Sequence, residues 1–254
     1  METIEDKLAE SLTAESKELI PYLPYLLQDL WELGSSPQDI LDMISNHISL
    51  RQPLNILDLA CGKGAVSVYL AQHLNSNVKG IDLMPEFIDF ANEKAKQHDV
   101  VGCCEFEVGN ITKAVRYEKD YDIVILGAVG DVLGTPEETI TLLKNTVKEG
   151  CYIIIDDVYG HDETNPSYYT KEQWLNIFKR TGVKLIDEKM IENDELEVLN
   201  VEQQKHIVNR ANELKQEWPD KADLFESYIQ SQQAECDELE NDLSGVTLLL
   251  QSIK

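Results

Sequence analysis

The chain has 254 residues, and its 47 acidic and 22 basic side chains give it a formal net charge of −25. Nucleic-acid binding draws its affinity from Lys and Arg side chains that neutralise phosphates, so this charge argues against a DNA or RNA partner. No apolar run is long enough to span a bilayer, and the acidic start, METIEDKLAE, differs from a secretion signal. We therefore expect a cytoplasmic protein, long enough to bury a sizeable core, with no nucleic-acid or membrane partner.

The five cysteines are an odd number and lack the CxxC spacing of a zinc ribbon. This usage argues against a disulfide framework, and we expect most of the thiols to be reduced and buried. The adjacent pair Cys103 and Cys104 leaves a soft-metal site as an alternative, but no third thiol lies nearby in the sequence. We predict no metal site.

Residues 1–50 precede the first strand that the sequence predicts, and their apolar residues recur at helical spacing. Ser36 is suited to an N-cap position, and Pro37 then occupies the first helical position. We predict that residues 1–50 form an N-terminal helical cap.

Residues 54–71, LNILDLACGKGAVSVYLA, combine a short buried strand, a glycine turn and the start of a helix. Gly62 and Gly64 can adopt backbone angles closed to other residues, and without a Cβ they let main-chain N–H groups approach a ligand. The N–H groups at the start of the helix favour a negative group such as a carboxylate or phosphate. This arrangement predicts a loop that holds a nucleotide-like ligand.

Asp82 ends the next predicted strand, about twenty residues after the loop, where doubly wound folds place an acid that accepts both hydroxyls of a ribose. The alternative is that Asp82 only caps the helix that starts near Pro85. Two cofactor classes fit this pattern: nicotinamide or flavin dinucleotides, and S-adenosylmethionine. A dinucleotide fingerprint has a third glycine where this chain has Ser67, which favours S-adenosylmethionine.

The sequence LDLACGKG resembles motif I of the class I S-adenosylmethionine-dependent methyltransferases, which is commonly D-x-G-x-G-x-G. Asp58, Ala60, Gly62 and Gly64 lie at the four marked positions, and Ala60 replaces the family's first glycine. The resemblance implies S-adenosylmethionine as the cofactor and an α/β fold. That fold is a three-layer, doubly wound, Rossmann-like sheet of seven strands in the order 3-2-1-4-5-7-6, with the last strand antiparallel.

The resemblance also implies how the adenosyl group is held. In the family, the end of the third strand commonly carries an acid that contacts the adenine amino group, and this chain has Asn110 there. An amide oxygen can also accept from an amino group, and the alternative is that Asn110 is a plain turn residue. Ile111 on one side and Leu83 or Met84 on the other would enclose the adenine ring. The cofactor-binding residues expected from the resemblance are Asp58, Ala60, Cys61, Gly62, Gly64, Asp82, Leu83, Met84, Asn110, Ile111 and Gly127.

The predicted fourth strand, YDIVIL, is followed by the small residues Gly127, Ala128 and Gly130. Ligands of parallel sheets bind outside the carboxyl ends of the strands, and these residues leave room there. Metal-dependent catechol-type relatives place an acid directly at this strand end, where this chain has Leu126 and Gly127. A metal site that involves Asp156 and Asp157 is therefore only a minor alternative.

The candidate catalytic residues Asp156, Asp157 and His161 follow the predicted fifth strand, residues 151–155. Methyl transfer by direct in-line displacement depends mainly on orientation, and a base helps only where the nucleophile carries a proton. Together with Tyr159, these three residues are the titratable groups nearest to the expected reaction site. For His161, the alternative is a solvated loop residue.

The remaining domain boundaries follow from the strand pattern. Residues 51–190 are the expected cofactor-binding core, residues 191–244 a helical insertion and residues 245–254 the final strand of the core. Because the sixth strand exits at the carboxyl edge of the sheet, we expect the insertion to stand over the site beside the N-terminal cap. The alternative is that its helices extend the core or form a dimer contact.

The predicted function is S-adenosylmethionine-dependent methyl transfer to a small-molecule acceptor, with S-adenosylhomocysteine as the product. Two alternatives remain open at this point. One is a methyltransferase-like protein that binds the cofactor for sensing or regulation without transfer, and the other is a nicotinamide-dependent oxidoreductase. The sequence leaves the oligomeric state and the acceptor atom undetermined.

Overall fold

The computed structural model describes residues 3–161 and 167–253 and divides the chain into two compact units. The sheet unit comprises Glu32–Met190 and Val246–Lys254. The helical unit comprises Met1–Trp31 and Ile191–Gly245.

The sheet unit is built on seven strands in the order β3-β2-β1-β4-β5-β7-β6. Strands β1 to β5 pair in parallel, and β7 runs antiparallel to β6. The predicted strand order and the antiparallel last strand are thereby confirmed. The strands are β1 Leu54–Leu59, β2 Ser76–Asp82, β3 Cys104–Val108, β4 Tyr121–Leu126, β5 Val147–Gly160, β6 Val183–Met190 and β7 Leu243–Ser252.

Strand β1 lies in the interior of the sheet, next to the central strand β4, and its sequence suits that position. Ile56, Leu57 and Leu59 are fully buried, as expected for a strand that is covered on both faces. The strand pairs with β2 on one side and with β4 on the other. The loop that follows β1 therefore opens at the carboxyl edge of the sheet, next to the point between β1 and β4 where the order of the strands reverses.

Helices cover the sheet between successive strands, and several begin at side-chain caps. Ser36 accepts a hydrogen bond from Asp39 N ahead of Pro37, as predicted. Thr135 and Thr170 each form a capping box with a Glu or Gln three residues later. The helices of the sheet unit are α3 Pro37–His47, α4 Ala65–His73, α5 Pro85–Gln97, α6 Ile111–Tyr117, α7 Pro136–Lys144 and α8 Lys171–Thr181.

Strand β5 is longer at both ends than the predicted residues 151–155. Its register against β4 shifts between Tyr121 and Ile123, and this irregularity absorbs residues that the sequence pattern places in a turn. Beyond Ile155, the last residue paired with β4, the strand continues to Gly160. Asp156 and Asp157 therefore lie inside β5, where successive side chains point to opposite faces.

The helical unit contains α1 Ile4–Ser11, α2 Leu23–Leu26, α9 Asn193–Glu217 and α10 Ala222–Asn241. Its buried side chains include Leu23, Ile207 and Phe225, and Arg210 donates two hydrogen bonds to the carboxylate of Asp29. Within the described residues, no helix has both the length and the apolar character needed to cross a membrane. The placement of this unit over the site stays a prediction.

Candidate functional site

The loop after β1 passes through left-handed backbone conformations at Ala60 (φ 56°), Gly62 (φ 53°) and Gly64 (φ 74°). A Cβ on Gly64 would lie 2.7 Å from the Cβ of Ala91 and 3.0 Å from Cζ of Phe106. Glycine at position 64 is therefore required by packing as well as by its backbone angles. Ala60 adopts the same left-handed conformation with a Cβ, which is less favourable than glycine there.

Asp82 ends β2 and links this strand to the glycine loop. Its Oδ2 accepts a hydrogen bond of 2.9 Å from Gly62 N, and its Oδ1 accepts one of 2.9 Å from Met84 N. Burial raises the pKa of Asp82, and hydrogen bonds from backbone N–H groups oppose this shift. Each carboxylate oxygen can accept more than one hydrogen bond, so capacity remains for ribose hydroxyls. The alternative, that Asp82 only caps the helix at Pro85, is wrong, because the N-cap residue of that helix is Met84 and no side chain caps it.

Asp58, the acid of the glycine-loop motif, is buried behind the loop. Ser67 Oγ donates a hydrogen bond of 2.6 Å to Asp58 Oδ2. Burial raises the pKa of Asp58 to about 7, and the nearby carboxylates of Asp82 and Asp156 contribute in the same direction. Ser67, at the position of a dinucleotide fold's third glycine, therefore supports the motif acid. Cys61 is half-buried in the loop, and burial raises the pKa of its thiol.

The end of β3 lies beside Asp82, because Gly109 N donates a hydrogen bond of 2.8 Å to the Asp82 carbonyl oxygen. Asn110 follows as the N-cap of α6, and its Oδ1 accepts from Thr112 N and Thr112 Oγ1, both at 2.8 Å. Asn110 Nδ2 is buried and has no hydrogen-bond partner among the described residues. The apolar neighbours expected around an adenine ring are the buried Met84 and Ile111 and the half-buried Leu83.

The space beside Gly127, at the end of β4, is occupied by Ser35, because a Cβ on Gly127 would lie 2.6 Å from Ser35 Oγ. On the neighbouring strand, Asp156 Oδ1 accepts a hydrogen bond of 2.5 Å from Thr247 Oγ1 of β7. Burial raises the pKa of Asp156, and hydrogen bonds from Ser35 and Thr247 oppose this shift. The sequence pattern indicated neither Ser35 nor Thr247, which reach the site from distant positions in the chain.

A small cavity of about 10 Å³ lies at the carboxyl ends of β4 and β5. Its polar lining includes Asp131, Asp156 and Asp157, together with Trp174 of α8. Burial raises the pKa of Asp157 to about 6, and the charges of Asp131 and Asp156 add to this effect. The buried Trp174 Nε1 has no hydrogen-bond partner among the described residues. His161 follows β5 and is exposed.

These features suit an adenosyl ligand. The left-handed glycine loop, the Asp82 carboxylate and the unpartnered Asn110 Nδ2 lie at the ends of three adjacent strands. They offer main-chain approach, an acceptor of hydroxyl hydrogens and a hydrogen-bond donor. Within residues 3–161 and 167–253, no three His, Cys, Asp or Glu side chains form a group that could hold a metal ion.

A doubly wound sheet with a glycine loop after β1 and a buried acid at the end of β2 defines a Rossmann-like protein that binds a nucleotide-type cofactor. Residues 50–224 match the family described as "Methyltransferase domain". The chain belongs to this methyltransferase family, which confirms the resemblance on which the fold and function were predicted.

Curated relatives are similar over part of their length. The ribosomal protein L11 methyltransferase of Dictyoglomus thermophilum is 27% identical over 61% of this chain and 46% of the relative. Norajmaline N-methyltransferase of Rauvolfia serpentina is 27% identical over 46% of this chain and 40% of the relative. The chain thus spans less than half the length of these two relatives.

Among solved structures, the chain resembles a S-adenosylmethionine-dependent methyltransferase from Geobacter sulfurreducens, crystallised with S-adenosylhomocysteine. The TM-score is 0.75 at 16% identity, and the alignment covers 91% of this chain and 97% of the other. At this identity the likeness shows the fold alone. The family match agrees with the methyltransferase resemblance that the glycine-loop motif carries.

Proposed function

We propose that the chain binds S-adenosylmethionine at the carboxyl edge of its sheet, transfers the methyl group to a small-molecule acceptor and releases S-adenosylhomocysteine. The observation that carries this proposal is the hydrogen bond of 2.9 Å from Gly62 N to Asp82 Oδ2. It joins the loop that approaches a ligand to the acid suited to a ribose. Membership of the methyltransferase family supports both the cofactor and the reaction.

The proposed cofactor residues contact successive parts of the ligand along the strand ends. The backbone around Gly62 and Gly64 approaches the amino-acid part, Asp82 accepts from the ribose hydroxyls, and Asn110 contacts the base. Asp58 supports the loop from behind through Ser67. The cofactor, when bound, supplies an electrophilic methyl group, and the chain's part is to orient the acceptor in line with it.

Two observations support a small-molecule acceptor. The net charge of −25 is unfavourable for a nucleic acid, and one relative is an N-methyltransferase named for the small molecule norajmaline. A protein acceptor is the competing class, since another relative is named for ribosomal protein L11. The two relatives therefore leave the acceptor class to experiment.

Asp157 is the proposed base for an acceptor that carries a proton. A general base works best with a pKa near the working pH, and Asp157 has a pKa raised to about 6. It also lines the cavity at the ends of β4 and β5. Asp156 lines the same cavity, but its Oδ1 already accepts from Thr247, and His161, just after β5, is itself exposed.

Binding and transfer can be tested in sequence. Titration calorimetry with S-adenosylmethionine, S-adenosylhomocysteine, NAD and ATP establishes the ligand class. Label from methyl-radioactive S-adenosylmethionine is then followed onto panels of small amines, alcohols and thiols, and onto peptides. Transfer to small molecules supports the proposal, and transfer to peptides alone replaces the acceptor class. Adenosyl binding without any transfer supports the sensing alternative, and binding of NAD alone supports an oxidoreductase.

A further inference from the structure

The orientation of the Asn110 side-chain amide is determined by its neighbours. Asn110 Oδ1 accepts hydrogen bonds of 2.8 Å from both Thr112 N and Thr112 Oγ1. A backbone N–H can only donate, so the oxygen must face Thr112, and the flipped amide would set donor against donor. The NH₂ group is therefore the part of the side chain that is left for another partner.

That NH₂ group has hydrogens to donate and no acceptor. Asn110 Nδ2 is buried without a partner among the described residues. Buried polar groups are almost always hydrogen-bonded in folded proteins, so such an atom at a ligand site indicates a group that the ligand completes. The missing group must be a hydrogen-bond acceptor.

The position of Asn110 indicates which part of a ligand would meet it. The glycine loop follows β1, Asp82 ends β2 and Asn110 follows β3, in the order of three adjacent strands. The hydrogen bond of 2.8 Å from Gly109 N to the Asp82 carbonyl oxygen keeps the last two together. A nucleoside whose ribose is bound by Asp82 can therefore extend its base toward Asn110.

We propose that Asn110 donates a hydrogen bond from Nδ2 to the unprotonated ring nitrogen N1 of the adenine base. This inference rests on the proposed function, because it assumes an adenosyl ligand. It reverses the contact that the family resemblance implies, in which an acid accepts from the exocyclic amino group. A carboxylate has no hydrogen to give, whereas the free half of the Asn110 amide has nothing to accept with.

The proposed hydrogen bond makes binding depend on whether the base carries a hydrogen at ring position 1. Adenine accepts at N1. Hypoxanthine carries a hydrogen there and would set donor against donor, and 1-deazaadenine has a C–H in place of the nitrogen. The substitution Asn110→Asp keeps an oxygen that caps α6 through Thr112 and replaces the NH₂ group by a second acceptor oxygen. That variant should favour a base that donates from N1.

The test is titration calorimetry of the wild type and Asn110→Asp with three ligands: S-adenosylhomocysteine, its 1-deaza analogue and its inosyl analogue. For the wild type we expect the 1-deaza analogue to bind about 3- to 10-fold more weakly and the inosyl analogue at least about 10-fold more weakly. For Asn110→Asp we expect the 1-deaza analogue to bind as tightly as S-adenosylhomocysteine. We also expect the affinity for the inosyl analogue to rise relative to that for the adenosyl compound. Thermal unfolding without ligand checks that the variant is folded.

Two results would overturn the inference while leaving the proposed function intact. One is equal affinity of the wild type for S-adenosylhomocysteine and its 1-deaza analogue. The other is an unchanged ratio of inosyl to adenosyl affinity in folded Asn110→Asp. If the wild type does not bind S-adenosylhomocysteine at all, the proposed function itself fails, so the two failures are distinguishable.

Discussion

Gly62 and Asp82 lie 20 residues apart in the chain and are joined by a hydrogen bond of 2.9 Å from the Gly62 N–H to Asp82 Oδ2. The bond connects the loop after β1 with the end of β2. Because Asp82 is buried and also accepts from Met84 N, its carboxylate is held in one orientation before any ligand arrives. The site at the sheet edge is therefore preorganised.

Asp82→Asn removes the charge but keeps the size of the side chain. We expect the affinity for S-adenosylhomocysteine to fall by about 1.5 to 3 kcal/mol, because hydrogen bonds to a charged acceptor are lost. Titration calorimetry measures the change. Asp89→Asn, an exposed carboxylate on α5, is the matched control and should leave the affinity unaltered. Equal affinities of the wild type and Asp82→Asn would remove Asp82 from the site.

Gly64→Ala should destabilise the sheet unit through both packing and backbone strain. Its Cβ would lie 2.7 Å from that of Ala91 at a φ of 74°, so we expect a loss of about 2 to 4 kcal/mol in the free energy of unfolding. Gly150→Ala isolates the strain, because φ there is 78° but the added Cβ meets open space. We expect Gly150→Ala to lower the free energy of unfolding, measured by chemical denaturation, by about 1 to 2 kcal/mol. Equal losses in the two variants would show that packing at Gly64 is unimportant.

Ala60→Gly should raise the free energy of unfolding by up to about 1 kcal/mol. Relief of the left-handed strain at φ 56° exceeds the greater entropy that glycine gives the unfolded chain. Ala234→Gly, on the exposed face of α10, should instead lower it by about 1 kcal/mol, as is usual within a helix. A loss of stability in Ala60→Gly would mean that the packing of the Ala60 methyl group against the core outweighs the strain.

Asp58 should make stability depend on pH. Its folded-state pKa of about 7 lies above the ordinary value of 3.8, so the folded protein holds the proton more tightly than the unfolded chain. The contribution is complete below about pH 4 and is lost as the pH rises through 7. The melting temperature of the wild type should therefore fall across this window relative to that of Asp58→Asn. Parallel curves for the two proteins would contradict the buried, proton-binding state of Asp58.

Asp157→Asn should lower the rate of methyl transfer to an acceptor that carries a proton by about 10²- to 10⁴-fold. In the wild type, activity should rise with pH around 6 as Asp157 loses its proton. Asp131→Asn removes a negative charge that raises this pKa, so the rise should move to lower pH with the maximal rate retained. A pH profile that is unchanged in Asp131→Asn would argue that another group is the base.

Much of the fold was predictable because its signals are local. The fully buried run in β1 and the glycines at 62 and 64 lie within one short stretch, and Asp82 follows at the spacing of a doubly wound fold. The remaining topology came from the family resemblance. The apolar residues 151–155 do not predict the full length of β5. The strand continues beyond Ile155, which is its last residue paired with β4.

The parts of the site that escaped prediction depend on contacts between distant positions. Thr247 reaches Asp156 from 91 residues away, and Ser35 fills the space beside Gly127. No periodicity in the sequence connects such pairs. The orientation of the Asn110 amide is a different case. The position of Asn110 in the sequence predicts a contact with the base. Which end of the amide is left for a ligand depends on the hydroxyl and the N–H of Thr112, which both donate to its oxygen.

The carboxyl edge of the sheet is the proposed binding site for an adenosyl cofactor. Thermal unfolding with S-adenosylmethionine, S-adenosylhomocysteine, NAD, NADP and ATP in parallel shows whether such a cofactor binds. A ligand at 100 times its dissociation constant stabilises a fold by about 2.7 kcal/mol, so we expect a clear rise in Tm with the two adenosyl compounds alone. A rise with NAD or NADP, or no rise with either adenosyl compound, would mean that this site does not bind an adenosyl cofactor as proposed.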